Sequence, residues 1–187
     1  MIHTLLHILK NSSMKLNTSL SVVIRILLWL IMIIGGAIYS IVKDWDTSLF
    51  ENIFFHLFTA TMGIIVLTLA FRAAANGGRE LTKGRVGDIP RLETNRLVTT
   101  GIFSCMRHPM LFGLTLLPIG WALLLGSLTF MTMVAPLEIL FIIIMVLIFE
   151  EMEVKRKFGK AYGSYTEEVP MVSFHIKCLK ELFKGKK

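Results

Sequence analysis

The sequence has little charge for its size. Only 18% of its 187 residues are Asp, Glu, Lys or Arg, whereas a soluble domain carries about 25%. Two cysteines cannot build a disulfide framework or a four-thiolate zinc site. The 14 Gly and 5 Pro exclude a collagen-like or low-complexity chain. With 54% hydrophobic residues and a mean hydropathy of +0.67, the chain is predicted to be an integral membrane protein.

Long apolar runs are what the sequence has instead, and they cover residues 19–42, 49–71 and 109–149. A run of about 20 residues crosses the hydrocarbon as a helix, because a helix satisfies its own backbone groups. The third run is too long for one crossing, and Gly126-Ser127 divides it into 109–125 and 128–149. We predict an all-α, polytopic membrane bundle of about four transmembrane helices with a C-terminal helical hairpin. Residues 1–75 form its first part and 76–187 its second.

The basic residues predict the orientation. All 20 Lys and Arg except Lys43 fall on one side of a four-span chain, and the net charge is +7. The positive-inside rule makes that side cytoplasmic, with both termini inside. On that side we expect Cys105 and Cys178 to stay reduced. Residues 2–9 are read either as a short interfacial helix or as a frayed end, without the pattern of a signal peptide. No nucleic-acid-binding module is recognisable.

Two charged pairs are predicted to emerge at the same membrane face. Arg107-His108 precedes the hairpin, and Glu150-Glu151 follows it. Judged by composition, such pairs can simply be the charged ends of two helices. The 72–108 segment is the longest polar stretch between spans, and long loops often carry function. Both interpretations stay open at this point.

The motifs around these pairs carry a resemblance. The segments LVTTGIFSCMRHPMLFG (97–113), EE (150–151) and FGKAYGSYTEEVP (158–170) occur in this order around the hairpin. Together they resemble the isoprenylcysteine carboxyl methyltransferase family and the related phospholipid N-methyltransferases. The similarity covers about residues 80–172, and it implies a membrane methyltransferase whose core is 76–187. The implied acceptor is lipophilic: an isoprenoid-linked carboxylate, a phospholipid amine or a small apolar molecule.

The resemblance implies S-adenosyl-L-methionine as cofactor and no metal. The positions that it implies for cofactor binding are Asn95, Arg96, Leu97, Val98, Gly101, Phe103, His108, Pro109, Met110, Leu111, Glu150 and Glu151. Glu150, at the predicted helix end, would pair with the cofactor's ammonium group, and Glu150 and Arg107 would both be catalytic residues. Leu97, Val98 and Phe103 would line an apolar slot for the adenine.

The chain departs from the family pattern at three positions. The family often has Tyr where this sequence has Phe103 and Leu111. Isoprenylcysteine methyltransferases carry an Arg, associated with their substrate, where this sequence has Val146. The last departure argues against a prenylcysteine carboxylate as the acceptor.

Several single residues have two interpretations. Glu138 lies within the fourth predicted span, where a carboxylate is costly. It would be a third catalytic residue that orients or deprotonates the acceptor, or a structural group bonded to Thr115, Thr129 or a backbone carbonyl. His56 is interpreted as a packed or interfacial histidine and not as a ligand. Tyr162 and Tyr165 share a helical face and would either pack the tail or contact the cofactor.

Two other function classes compete with methyl transfer. A non-catalytic membrane scaffold or assembly protein would keep the fold without binding the cofactor. A membrane reductase with a nicotinamide cofactor is the other class, although no feature of the sequence favours it. Retention of Arg107, His108, Glu150 and Glu151 together favours the methyltransferase.

Overall fold

The computed structural model describes residues 23–24, 27–87 and 94–184, which form helices and no strand. The helices are α1 (Leu27–Asp44), α2 (Ile53–Thr82), α3 (Pro109–Leu125), α4 (Ala135–Met145), α5 (Glu151–Glu168) and α6 (Ile176–Leu182). A 3₁₀ turn spans Gly101–Ser104, and π-helical segments span Phe130–Val134 and Val146–Glu150. The all-α prediction is therefore confirmed. The expectation for residues 2–9 lies outside the described residues.

Three helical stretches are long and apolar enough to cross a membrane: Leu27–Asp44, Ile53–Thr82 and Phe130–Glu168. The fourth apolar helix, α3, is shorter, with 17 residues. Each predicted apolar segment contains a helix where it is described, although α2 begins at Ile53 and not at residue 49. Two of them continue further than predicted, because α2 runs past Phe71 to Thr82 and the last stretch runs past Phe149 to Glu168. The apolar part of that last stretch ends at Phe149.

Helices α2 and α3 pack backbone against backbone. A Cβ atom placed on Gly63 would lie 2.7 Å from the backbone nitrogen of Leu124, and one placed on Gly113 would lie 2.8 Å from the carbonyl oxygen of Ala70. Small residues permit this close approach, as they do in many membrane helix pairs. The α2–α3 pair is therefore the rigid centre of the bundle.

The hairpin turn is at the predicted position. Gly126 ends α3 in the left-handed conformation (φ +63°), and its N–H donates to the carbonyl oxygens of Ala122 and Leu123. This is the residue type that a left-handed helix end favours. The ring of His56, from α2, packs against Gly126, and its Nε2 lies 2.5 Å from the carbonyl oxygen of Phe50. His56 is thus a packed histidine, as the sequence indicates.

A buried carboxylate ties α1 to this turn. Asp44, the last residue of α1, accepts a hydrogen bond from the Ser127 hydroxyl at 2.5 Å. It also accepts from the backbone N–H of Thr129 at 3.0 Å and from the Thr129 hydroxyl. Charge-assisted bonds of this kind are the stronger ones. They hold α1 against the hairpin at one end of the bundle. The charged pairs Arg107-His108 and Glu150-Glu151 lie at the opposite end, which we call the basic end.

Candidate active site

The segment that carries Arg107 and His108 is held by the chain that follows α5. The backbone N–H groups of Arg107 and His108 donate to the carbonyl oxygens of Pro170 and Met171, both at 3.0 Å. His108 is the N-cap of α3, and Pro109 stands at its first position, where a missing N–H costs nothing. The two functional side chains therefore start from a fixed backbone.

Glu151 is the centre of the polar cluster at the basic end. Its Oε1 accepts from Arg107 NH1 at 2.9 Å and from the Tyr162 hydroxyl at 2.9 Å, and it lies 2.8 Å from His108 Nε2. The side chains of Glu151 and His108 are only 10% and 9% exposed. A carboxylate this buried needs partners on several sides. Arg107, His108 and Tyr162 supply them.

The π-helical segment Val146–Glu150 explains why Glu151, and not Glu150, faces the core. The buried positions of the last helical stretch run Glu138, Ile142, Val146 and then Glu151. A regular α-helix would continue this face at residue 150. The wider π turn contains one extra residue and moves the face to residue 151.

Glu150 consequently points outward. Its side chain is 51% exposed, and its Oε2 lies 3.6 Å from His108 Nδ1. The expectation of a carboxylate at a helix end is wrong in one respect, because the helix continues to Glu168. Glu150 remains beside His108 as the more accessible of the two carboxylates.

The cluster shifts the pKa values of its members. Burial alone would lower the pKa of His108, but the neighbouring carboxylates of Glu150 and Glu151 outweigh it and raise that pKa above 6.5. Burial opposes ionisation of Glu151 as well, yet His108, Tyr162 and Arg107 bring its pKa below 4.5. Burial and Glu151 raise the pKa of Tyr162 to about 12. At neutral pH, Glu151 is therefore the ionised member that holds the others.

Tyr165 fixes the neighbouring 3₁₀ turn. Its hydroxyl donates to the carbonyl oxygen of Phe103 at 2.5 Å. The Phe103 ring is buried in an apolar cluster with Ile102, Met106 and residues of α6. Both tyrosines of α5 thus have packing contacts, and the Phe103 ring belongs to the core.

The two cysteines lie in this same cluster and are joined by a disulfide bond. Their Cα atoms are 5.6 Å apart, which is within the range that a disulfide spans. The expectation that both thiols stay free is contradicted here. The bond connects Cys105, next to the 3₁₀ turn, with Cys178 in α6.

The first predicted cofactor residues lie on a loop that folds back on α2. Asn95 uses its whole side-chain amide for this purpose: Oδ1 accepts from Val86 N–H at 2.8 Å, and Nδ2 donates to the Val86 carbonyl at 2.6 Å. The Arg96 N–H donates to the Gly84 carbonyl at 3.1 Å. Leu97 and Val98 are half-buried, and Val98 packs on the apolar cluster of the 3₁₀ turn.

Gly101 is needed for two reasons. It adopts φ +59°, and a Cβ there would meet the Glu80 carboxylate at 2.4 Å. Glu80 also binds Lys83 through its Oε1 at 2.6 Å. The sequence gives no sign of this role of Glu80, because no motif links it to a glycine about 20 residues later.

The remaining predicted positions face other helices. Met110 packs on Gly77 of α2, beside the buried Pro109. Leu111 forms a buried apolar cluster with Ile142 and Val146 of the last helical stretch. Two of the three positions that depart from the family pattern, Leu111 and Val146, are therefore members of one cluster.

Comparison with known proteins relates the chain to one family. The sequence model of the family described as phospholipid methyltransferase matches residues 56–161, which is more than half of the 187 residues. The chain belongs to the phospholipid methyltransferase family. Searches of curated proteins and of solved structures returned no match.

Membership in the phospholipid methyltransferase family makes this protein a membrane methyltransferase in general terms. The matched region runs from α2 into α5, so it contains Arg107, His108, Glu150 and Glu151. Helix α1 and the Pro170-Met171 contact lie outside it.

The structure brings together Arg107, His108, Glu150 and Glu151, but it does not bring Glu138 to them. Glu138 lies about twelve residues before Glu150 on one helical stretch, which corresponds to about 18 Å at 1.5 Å per residue. The sequence does not predict that the Pro170 and Met171 carbonyls accept hydrogen bonds from Arg107 and His108. No side-chain signal reveals such backbone contacts.

Proposed function

We propose that this methyltransferase uses S-adenosyl-L-methionine and methylates a lipophilic acceptor at the basic end of the bundle, on the cytoplasmic side of the membrane. One observation carries the proposal. Two polar groups beside His108 are not saturated with hydrogen bonds from the described residues. Arg107 Nε is buried without a hydrogen-bond partner, and the Glu150 carboxylate is half-exposed.

These two groups match the amino-acid end of the cofactor. That end carries a carboxylate, which needs donors, and an ammonium group, which needs a carboxylate. Arg107 and His108 would serve the first group, and Glu150 would serve the second. Leu97 and Val98 are half-buried on the adjacent loop, where an adenine would find apolar surface. The residues present therefore fit the cofactor.

Methyl transfer requires alignment of the methyl donor with the acceptor more than it requires acid–base chemistry. S-adenosyl-L-methionine supplies, when bound, an electrophilic methyl group on a sulfonium. Glu151 keeps Arg107 and His108 in fixed positions, and orientation of two reactants by such fixed groups lowers the barrier by several kcal/mol. An acceptor amine would attack in its neutral form, and the proton that it releases would pass to water.

The acceptor that we propose is a phospholipid amine. The position where isoprenylcysteine methyltransferases carry an Arg is Val146, buried at 4% exposure beside Leu111 and Ile142. A substrate carboxylate would find no cation in this apolar cluster, and an unpaired buried charge is costly. The family description, phospholipid methyltransferase, supports the same acceptor.

Calorimetric binding of S-adenosylhomocysteine to the detergent-solubilised protein tests the cofactor part. Glu150→Gln should weaken binding about tenfold, or about 1.4 kcal/mol. Glu153→Gln is the matched control, because Glu153 is an exposed carboxylate on the same helical stretch. Its affinity should equal that of the wild type. Absence of binding by a well-folded wild type would refute the proposal and favour a scaffold.

A further inference from the structure

Glu138 is a buried carboxylate without a partner. Its side chain is 0% exposed, and neither carboxyl oxygen has a hydrogen bond to any residue of the chain that the structure describes. The two threonines considered as partners are engaged elsewhere. Thr115 donates to the Phe112 carbonyl at 2.9 Å, and Thr129 donates to Asp44. A carboxylate at the centre of a membrane helix costs about 2.5–3.5 kcal/mol even by the lower scales.

A second unpaired polar atom lies on the facing helix. Trp29 of α1 packs against the apolar cluster that contains Ile142, which is one helical turn from Glu138 on the same buried face. The indole Nε1 of Trp29 is buried and has no hydrogen-bond partner among the residues that the structure describes. An indole N–H only donates, whereas a carboxyl group has oxygens that accept in either protonation state. Among the described residues, an unused donor and an unused acceptor therefore lie beside the same apolar cluster.

The backbone around Glu138 is also irregular. Helix α4, which carries Glu138, is only 11 residues long and has a π-helical segment at each end, Phe130–Val134 and Val146–Glu150. Isolated π turns inside α-helices are frequently found at functional sites. Pro136 stands at the start of α4, and Pro118 is buried inside α3. The second side of the hairpin thus deviates from a regular α-helix both before and after α4.

The geometry points to a second ligand site, inside the membrane and distinct from the methyl-transfer site. Its ligand is a membrane-soluble amphiphile whose head both donates and accepts hydrogen bonds, such as a fatty alcohol or an uncharged fatty amine. The head donates to Glu138 and accepts from Trp29 Nε1. Buried polar groups cost most when they are unpaired, and this head pairs both of them.

Protection from a carbodiimide tests this site without requiring S-adenosyl-L-methionine. Dicyclohexylcarbodiimide is apolar and modifies protonated carboxyl groups within membranes. The full-length protein in lipid nanodiscs is treated with it, and the modified residue is identified by peptide mass spectrometry. Dodecanol, dodecylamine and dodecane are added separately at the same mole fraction of lipid.

We expect the reagent to modify Glu138, and dodecanol or dodecylamine at about ten times its Kd to slow the reaction about tenfold. Dodecane, which has no polar head, should leave the rate unchanged. The alcohol and amine arms show which head the site takes. Glu138→Gln should remove this modification, whereas Glu153→Gln should retain it. Peptide mapping of the wild type gives the same answer where Glu138→Gln does not fold.

Two results would overturn the inference. One is a Glu138 that the reagent does not modify, because a site without access holds no ligand. The other is modification that all three additives affect equally, because Glu138 would then be a closed structural group. Neither result touches the proposed cofactor site, whose test is the binding of S-adenosylhomocysteine.

Discussion

Glu150 and Glu151 are neighbours in the sequence but occupy different environments. Glu151 is buried and accepts hydrogen bonds from Arg107 and Tyr162, while Glu150 is half-exposed. A carboxylate saturated by protein donors holds its neighbours in place, whereas an accessible one can bind a ligand. We therefore assign Glu151 a positioning role and Glu150 a binding role.

The charges of this cluster predict how stability depends on pH. The pKa of Glu151 is lowered in the fold, so its contribution is present above about pH 4.5 and is lost as pH falls through the folded pKa. The pKa of His108 is raised, so its contribution is complete below about pH 6.5 and is lost as pH rises through the folded pKa. We expect maximal stability between these two values.

Thermal unfolding of the purified protein from about pH 2.5 to about pH 8.5, which is about two units beyond the ordinary pKa values of Glu and His, measures this dependence. His108→Gln should flatten the alkaline side of the curve, and the acid side should remain in reduced form, because Arg107 and Tyr162 still bind Glu151. A variant that keeps the full alkaline decline would show that another group causes it.

At the scale of elements, the π-helical segment Val146–Glu150 sets which residues face the core. Removing one exposed residue from it, Ile148, should leave a regular α-helix in which Glu151 follows Val146 by four positions. The buried face would then be preserved. Removing Ile143 from the regular helix α4 should instead rotate everything after it by about 100°.

We expect the protein lacking Ile148 to keep most of its thermal stability and the protein lacking Ile143 to lose its fold. Thermal unfolding and size-exclusion chromatography compare the two. Equal losses in both deletions would contradict the role given to the π turn.

The hairpin turn gives a second prediction at this scale. Gly126→Ala should lower the free energy of unfolding by at least about 1–2 kcal/mol, because a left-handed backbone is strained with a side chain. The new Cβ would also lie 2.3 Å from the His56 ring. Gly163→Ala, in α5, adds a Cβ with no atom within 4 Å and should instead stabilise by about 0.5–1 kcal/mol. Denaturant titration compares them, and equal signs would be inconsistent with the turn geometry.

The sequence predicts the elements better than their ends and contacts. Apolar length identifies the membrane segments, and Gly126 marks the turn, because both signals are local. The continuation of α2 past Phe71 is missed because a change from apolar to polar residues does not end a helix. The π turn is missed because periodicity analysis assumes 3.6 residues per turn.

Contacts between segments that are distant in the sequence are predicted only in part. The motifs place Arg107, His108, Glu150 and Glu151 at one face, and the structure brings these four together. The disulfide between Cys105 and Cys178 and the bonds from Arg107 and His108 to the chain after α5 are not predicted. They depend on how α5 and α6 return to the bundle, which no local pattern encodes.

At the scale of the whole molecule, apolar helices surround a polar cluster at one end. Large apolar side chains of α1 and α2 are widely exposed, as a bilayer requires. The cluster of Arg107, His108 and Glu151 lies where the apolar helices give way to the amphipathic α5. A lipid headgroup and a water-soluble cofactor would both reach a site at this depth.

The most direct test of this account is methyl transfer itself. Wild type, Glu150→Gln and Glu153→Gln are reconstituted into vesicles containing phosphatidylethanolamine and given S-adenosyl-L-methionine with a labelled methyl group. We expect label in the lipid amine with wild type and with Glu153→Gln. With Glu150→Gln the rate should be at least about tenfold lower, which corresponds to a loss of about 1.4 kcal/mol of transition-state stabilisation. A folded, cofactor-binding wild type that labels no lipid, or a fully active Glu150→Gln, would contradict this account.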